Sequence, residues 1–225
     1  MPLAPWSRRL AAVASLGDRT RRALFDYVRS AGRPVGRDEA AEALGLTRGA
    51  AAAQLDRLAD EGVLSITFAK PGAGGPGTGR PSKFYSLATT EFVASVPERS
   101  YELAGELMAS AAERSMTEGA PMDECLNAVG REEGEKLGRE HGNIESVLDA
   151  AGYNPVPNTQ EGGFELANCP FHRLARGHRE VVCGLSAALL EGALAGCADP
   201  AHGVQPIDPD EGPGECCARI VMRTK

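Results

Sequence analysis

A fourteen-residue stretch, "KPGAGGPGTGRPSK" at Lys70–Lys83, holds five glycines and three prolines. No regular element runs through it. Proline removes a backbone donor and clashes with the preceding helical turn, and glycine loses the most conformational freedom on ordering. The stretch is bracketed by "VLSITFAK" and "KFYSLA", which alternate or run apolar over strand-like lengths. The three pieces predict a β-hairpin with a long tip.

Helical patterns precede the hairpin. Ser7–Leu16 reads as a soluble helix; its apolar run is too short for the h-region of a secretory signal, and Arg-rich sequence resumes at once. In "GDRTRRALFDYVRSAG", Asp18 is the expected N-cap. Leu24, Tyr27 and Val28 recur at helical spacing, with Phe25 beside them, and Gly32 ends the segment. "GRDEAAEALGL" is a short helix stopped by Gly45. "TRGAAAAQLDRLADEG" restarts with Thr47 as N-cap, buries Ala51, Leu55 and Leu58, and ends at Gly62.

Charge is divided along the chain. Residues 1–90 carry 13 Lys/Arg against 8 Asp/Glu, a net of +5; the remainder carries 11 against 23, a net of −12. A basic segment on an acidic chain points to a polyanionic partner for that segment alone. No run of 18 apolar residues exists, so no membrane partner is expected.

The order of helix, glycine turn, Thr-capped helix and basic-tipped hairpin is that of a winged helix-turn-helix. "EAAEALGLTRGAAAAQLDRLADEGVL" and "GRPSKFYSL" resemble winged-helix repressors of the ArsR/DeoR-like type, over roughly residues 15–90. The resemblance implies binding to double-stranded DNA as a homodimer, with the helix after Thr47 in the major groove. Residue chemistry fits that placement. Gly49, Ala52 and Ala53 would allow close approach to the bases. Thr47 and Arg48 sit where the helix dipole favours phosphate, and Gln54 and Arg57 are long enough to reach base edges or phosphates. Lys70, Arg80 and Lys83 in the wing, with Arg21 and Arg22 on the earlier helix, are the expected backbone or minor-groove contacts. Asp56 and Asp60 interrupt the positive face and are expected at the far end of the helix.

Beyond residue 90 the pattern is α+β. Leu103, Leu107 and Ala111 give the 97–118 helix an apolar stripe, and it resembles the dimerisation helix of the same regulators; the alternative is an ordinary core helix. "MDECLNAVGREEGEKLGREHG" and "NIESVLDAAG" are further helices. "YNPVPN" is a break, "GFELANC" a strand, "PFHRLARGHREVVCGLSAALLEGALAG" helical, and "VQPIDPD" and "ECCARIVM" closing strands. The expected division is a winged helix-turn-helix at 1–90, a linking helix at 91–120 and a small α+β sensor domain at 121–225.

Six cysteines without a secretory signal suit a reducing, cytoplasmic setting, where thiols bind metal, do redox chemistry or pack inertly. No C-x-x-C is present, and widely spaced cysteines suit an iron–sulfur cluster, [4Fe–4S] or [2Fe–2S], ahead of zinc. "NCPFHRLARGHREVVC…GECCARI" resembles the C-terminal sensor region of SufR-type iron–sulfur repressors. That resemblance implies ligands at Cys169, Cys183, Cys197 and one of Cys216 and Cys217. Here 13, 13 and 18 residues intervene, so the last gap departs from the family's near-even spacing. Helix geometry argues against Cys197, because 14 residues of α-helix separate it from Cys183 by about 21 Å. The expected ligands are therefore Cys169, Cys183 and one of Cys216 and Cys217, since neighbouring strand residues face opposite ways. His178 or His172 is the candidate fourth. Cys125 reads as a buried small hydrophobe.

The resulting expectation is a transcriptional regulator, not an enzyme, whose operator affinity follows cluster occupancy. Three rivals stand beside it: a regulator with an apolar small-molecule pocket, a zinc switch, and a metal-free switch in which a low-pKa cysteine forms a reversible disulfide. A thiol enzyme would need a positioned base, for which Cys183 near His178 is the only local pair, and no catalytic motif surrounds it.

Overall fold

Local capping explains where the first helices begin. The backbone N–H of Arg21 donates to Asp18 Oδ1 (3.0 Å), opening α2 (Arg19–Ala31). The N–H of Ala50 donates to Thr47 Oγ1 (3.2 Å), opening α4 (Arg48–Asp60). Each bond satisfies a donor that a helix N-terminus leaves orphaned. Between them, α3 (Arg37–Leu44) ends at Gly45, whose φ of 63° is the left-handed conformation that glycine adopts without strain. α1 (Trp6–Ser15) precedes all three.

This computed structural model describes residues 5–69, 81–208 and 216–223. The fold is α+β, and the chain divides into two units, Met1–Ser95 and Val96–Lys225. In the first, β2 (Leu64–Ala69) pairs antiparallel with β3 (Ser82–Leu87), with Leu64 opposite Leu87 and Ala69 opposite Ser82. The turn that joins these strands falls outside the described residues, as do Lys70 and Arg80. A two-residue strand not expected from the sequence, β1 (Val35–Gly36), adds to the other edge of β3 and gives the order β1-β3-β2. Leu24, Val28, Val35, Leu55, Leu58, Val63 and Tyr85 meet in the core between helices and sheet.

In the second unit, α5 (Tyr101–Glu118), α6 (Met122–His141) and α7 (Ile144–Ala151) are followed by β4 (Pro155–Pro157) and β5 (Phe164–Leu166). Then come α8 (His172–Ala175), α9 (Arg179–Gly196), β6 (His202–Pro206) and β7 (Ala218–Met222). The four strands run in the order β4-β5-β7-β6, all antiparallel. "YNPVPN" was expected as a plain break, but its prolines lie in β4. Proline is tolerated there because β4 is an edge strand whose missing donors cost no ladder bonds.

On α5, Ala104, Leu107 and Ala111 are buried in this unit's own core, with Leu103 packed against it, as in the core-helix alternative. The segment treated as a linker at 91–120 thus joins the core of the second unit from α5 onward.

The α6–α9 pair is the scaffold of that unit. Gly130, Gly134 and Gly138 recur every fourth residue along α6 and are all buried. A Cβ at Gly134 would lie 2.0 Å from the Leu189 carbonyl oxygen, and one at Gly138 would lie 2.4 Å from that of Ala193. The reverse holds for α9: a Cβ at Gly192 would lie 2.2 Å from the Arg131 oxygen, and one at Gly196 the same distance from that of Glu135. The helices therefore meet backbone to backbone, and the glycines are there because no side chain fits. α9 runs unbroken from Arg179 to Gly196, with Val182, Leu185, Leu189 and Leu190 among its buried residues.

Candidate functional site: a thiol cluster and a basic helix

Three chain segments bring four thiols together. Cys169 follows β5 and precedes Pro170; Cys183 lies in the second turn of α9; Cys216 and Cys217 stand just ahead of β7. The thiols influence one another pairwise, Cys169 with Cys216, Cys216 with Cys217, and Cys217 with Cys183. Cys169 and Cys216 are buried at 3% and 1% exposure, whereas Cys183 and Cys217 are partly exposed.

The strand argument for choosing one of Cys216 and Cys217 falls away. Strand alternation does not apply to them, because β7 begins at Ala218 and both cysteines lie in the irregular chain before it. Cys197 is placed elsewhere. It caps the far end of α9, and its thiol donates to the Gly138 carbonyl (3.6 Å). Cys125 is buried on α6, with its thiol 4.0 Å from the Ala120 carbonyl oxygen.

Their mutual interaction shifts the four thiols in opposite directions. The bonds from Cys183 and then Cys216 pull the Cys217 thiol down to about 3, assisted by the Arg179 charge. The bond from Cys216 likewise lowers Cys169, with help from the Phe171 N–H and the Arg99 charge. Cys183 is pushed up by its bond to Cys217 and by burial, and Cys216 by its bonds to Cys169 and Cys217 and by burial. Cys169 and Cys217 are thus lowered while Cys183 and Cys216 are raised. Cys197, away from this group, is raised by burial and by Asp199.

A polar frame that sequence reasoning missed holds Cys169. Asn168, almost wholly buried, donates through Nδ2 to the carbonyls of Glu98 (2.8 Å) and Gly152 (2.6 Å) and accepts from Arg99. Arg99 also donates to the Cys169 carbonyl (3.1 Å). Tyr153 lies beside the thiols, fully buried, its hydroxyl bonded to Ser186 Oγ (2.7 Å) and its ring edge-on to Phe171. Burial first, and the nearby Cys216 second, push that hydroxyl well above its ordinary value. The one local clue was the Asn-Cys-Pro sequence, with a polar residue next to a candidate ligand.

The candidate histidines sit at the margin. His178 is the exposed N-cap position of α9. His172 begins α8, and its backbone N–H donates to the Cys169 carbonyl (3.1 Å). Among the described residues, no three His, Cys, Asp or Glu side chains are drawn together closely enough to hold a single metal ion.

On the first unit, several expected DNA contacts already have partners. Arg48 pairs with Asp38 (2.6 Å) and Arg57 with Glu61 (3.1 Å), with both arginine side chains more than 60% exposed. Arg21 donates to the Ser15 carbonyl (2.8 Å) and to Gln54 Oε1 (3.3 Å), and Arg22 donates to the Leu16 carbonyl (2.9 Å). Thr47 is engaged as the α4 cap. Asp56, expected at the far end of the helix, accepts from Lys83 Nζ (2.7 Å) and from the hydroxyl of buried Tyr85 (2.8 Å). It ties α4 to β3.

The chain matches no family model, and no curated protein and no solved structure is significantly similar to it. Among the described residues, no helix is long and apolar enough to cross a membrane.

Proposed function

We propose that this chain is a DNA-binding transcriptional regulator. Its first unit acts as a winged helix-turn-helix, and its second holds an iron–sulfur cluster on Cys169, Cys183, Cys216 and Cys217. The observation that carries the reading is the meeting of four thiols from three separate chain segments. Inert cysteines have no reason to converge, and cysteine sulfurs, deprotonated on binding, are the donor set that iron–sulfur clusters use. A tetrahedral zinc ion, with Zn–S bonds of about 2.3 Å, would need all four sulfurs within about 4 Å of one another. A cluster accepts wider spacing, which suits thiols that are linked pairwise but not drawn around one point.

Support for DNA binding comes from the α2–α3–α4–β2–β3 order, the Thr47 cap and the net +5 charge of residues 1–90. Ala53 and Gly49 are exposed on α4, where small residues would let the backbone approach base edges. The ion pairs of Arg48 and Arg57 are surface pairs worth about 0–1 kcal/mol, so a phosphate displaces the carboxylate at little cost. Recognition of two half-sites by a homodimer is part of the proposal.

When bound, the cluster supplies a redox-labile bond network between the end of β5, α9 and the approach to β7. The chain's own part is to present four thiols, to bias them toward thiolate through Arg99 and Arg179, and to keep Cys169 in place through Asn168. The test combines two measurements on protein purified without oxygen. Iron and sulfide content is determined, and duplex DNA selected from a random pool is titrated by fluorescence anisotropy before and after chelation. The reading requires iron and sulfide together, and at least a fivefold change in DNA affinity at fixed salt. Metal-free protein would end the cluster reading. Unchanged affinity would end the switch while leaving DNA binding standing.

A further inference from the structure

We propose that Gln54 selects guanine in the major groove, and that Arg21 enforces this choice by occupying the glutamine's acceptor. Both roles rest on the reading of α4 as a recognition helix, to which they add the base selected and the residue that sets the selection.

The chemistry of the pair fixes which way the amide faces. Arg21 Nη1 donates to Gln54 Oε1 (3.3 Å). A guanidinium carries donors and no acceptor, so only the oxygen of the amide can face it. Arg21 is itself anchored twice. Its Nε donates to the carbonyl of Ser15 (2.8 Å), and its backbone N–H donates to Asp18 Oδ1 (3.0 Å). Among the described residues, Gln54 Nε2 has no hydrogen-bond partner. The side chain therefore keeps two unused N–H donors while its acceptor is engaged. Gln54 is half-buried and lies one turn ahead of Arg57, whose side chain is 62% exposed, so this side of α4 opens to solvent.

The major groove turns that imbalance into a base preference. Adenine presents an N7 acceptor beside an N6 donor, and a glutamine that reads it donates and accepts side by side. With its oxygen turned to Arg21, Gln54 offers adenine the N7 bond and leaves the N6 donor unmatched. Cytosine presents a donor, which the amide N–H groups oppose. Thymine presents one acceptor, O4, beside a methyl group. Guanine presents two acceptors, O6 and N7, to the two N–H bonds of the amide. Arg21 is thus a positioning residue that acts through Gln54, a role distinct from the phosphate contact its charge suggests.

The experiment selects duplexes from a random pool with the full chain purified without oxygen. Wild type, Gln54→Ala and Arg21→Met are run in parallel at fixed salt, and circular dichroism compares their folding. Methionine keeps an unbranched stem and removes every donor, which frees Gln54 Oε1. The wild type should fix guanine at a position where Gln54→Ala loses the preference by about fivefold or more, with the other positions unchanged. Arg21→Met should raise adenine at that same position. A duplex carrying 7-deazaguanine there should bind the wild type more weakly, and Gln54→Ala should bind it as well as the parent duplex. That comparison does not depend on Arg21→Met folding.

Adenine or cytosine at the Gln54-dependent position would overturn the proposal. So would a Gln54→Ala loss spread over every position, no position that responds to Gln54→Ala, or a folded Arg21→Met protein with the wild-type preference. Each of these leaves DNA binding standing. A wild type that enriches no sequence and binds no duplex would instead remove the DNA-binding reading, and the guanine choice with it.

Discussion

Gly134 on α6 lies against the carbonyl of Leu189 on α9, so closely that a β-carbon would sit 2.0 Å from that oxygen. The same carbon would come within 2.8 Å of the Ala193 nitrogen, so both obstacles are backbone and neither can rotate aside. Gly134→Ala should lower the stability of the 96–225 unit by about 1–3 kcal/mol or more, the scale of core overpacking. Gly105→Ala on α5 is the control. Nothing lies within 4 Å of a Cβ there, so it should be neutral or slightly stabilising, as expected for replacing a helical glycine. Urea midpoints from far-ultraviolet circular dichroism separate the two outcomes.

Asp56 should make the first unit sensitive to acid. Burial pushes its carboxyl up, but the bonds from Lys83 and Tyr85 outweigh that and hold it below the ordinary carboxylate value. A depressed folded value means that the contribution is complete above about pH 4 and is lost as pH falls through the folded value. Asp56→Asn should therefore flatten the acid limb of the stability profile. Asp56→Ala should cost about 1–3 kcal/mol at neutral pH, because it strands the buried Tyr85 hydroxyl. The single tryptophan, Trp6, bonds through its indole N–H to the Ser95 carbonyl and provides a fluorescence signal for this unit.

The thiol group predicts which cysteines matter for metal. Cys169→Ser, Cys183→Ser, Cys216→Ser and Cys217→Ser should each reduce iron and sulfide retained after anaerobic purification to a small fraction. Cys197→Ser and Cys125→Ser should retain both in full. Retention by Cys216→Ser would restore the view that only one of the adjacent pair ligates.

DNA contact should register in the salt dependence. Arg48→Ala should weaken binding to selected and unselected duplexes alike and reduce the slope of log K against log salt by about one, as loss of one phosphate contact does. Removing its ion-pair partner by Asp38→Ala should leave affinity unchanged or raise it. An Arg48→Ala protein with an unaltered slope would show that Arg48 makes no phosphate contact.

What could be read ahead of the structure was local. Asp18, Thr47 and Gly45 act at helix ends through bonds spanning a few residues, and their positions followed from residue type alone. The Asp56–Tyr85 bond spans 29 residues and depends on how α4 lies against β3, which no local pattern encodes. An acid interrupting a basic face was nonetheless visible. The role of Cys216 turned on where β7 begins; a start two residues earlier would have put the pair on opposite faces. The four-residue glycine rhythm of α6 was present in "AVGREEGEKLGREHG" and is now explained by the approach of α9.

The interlocked glycines of α6 and α9 also restrict how the thiol site can move. Each helix offers notches one turn apart, and the other's backbone sits in them. Smooth gliding of α9 along α6 would drive carbonyls over the intervening side chains. The next comfortable seat is a full turn away, about 5.4 Å. The mechanism behaves like a detent rather than a slide. Cys183, riding on the first turns of α9, either keeps its place beside Cys217 or leaves it altogether, with no graded position between.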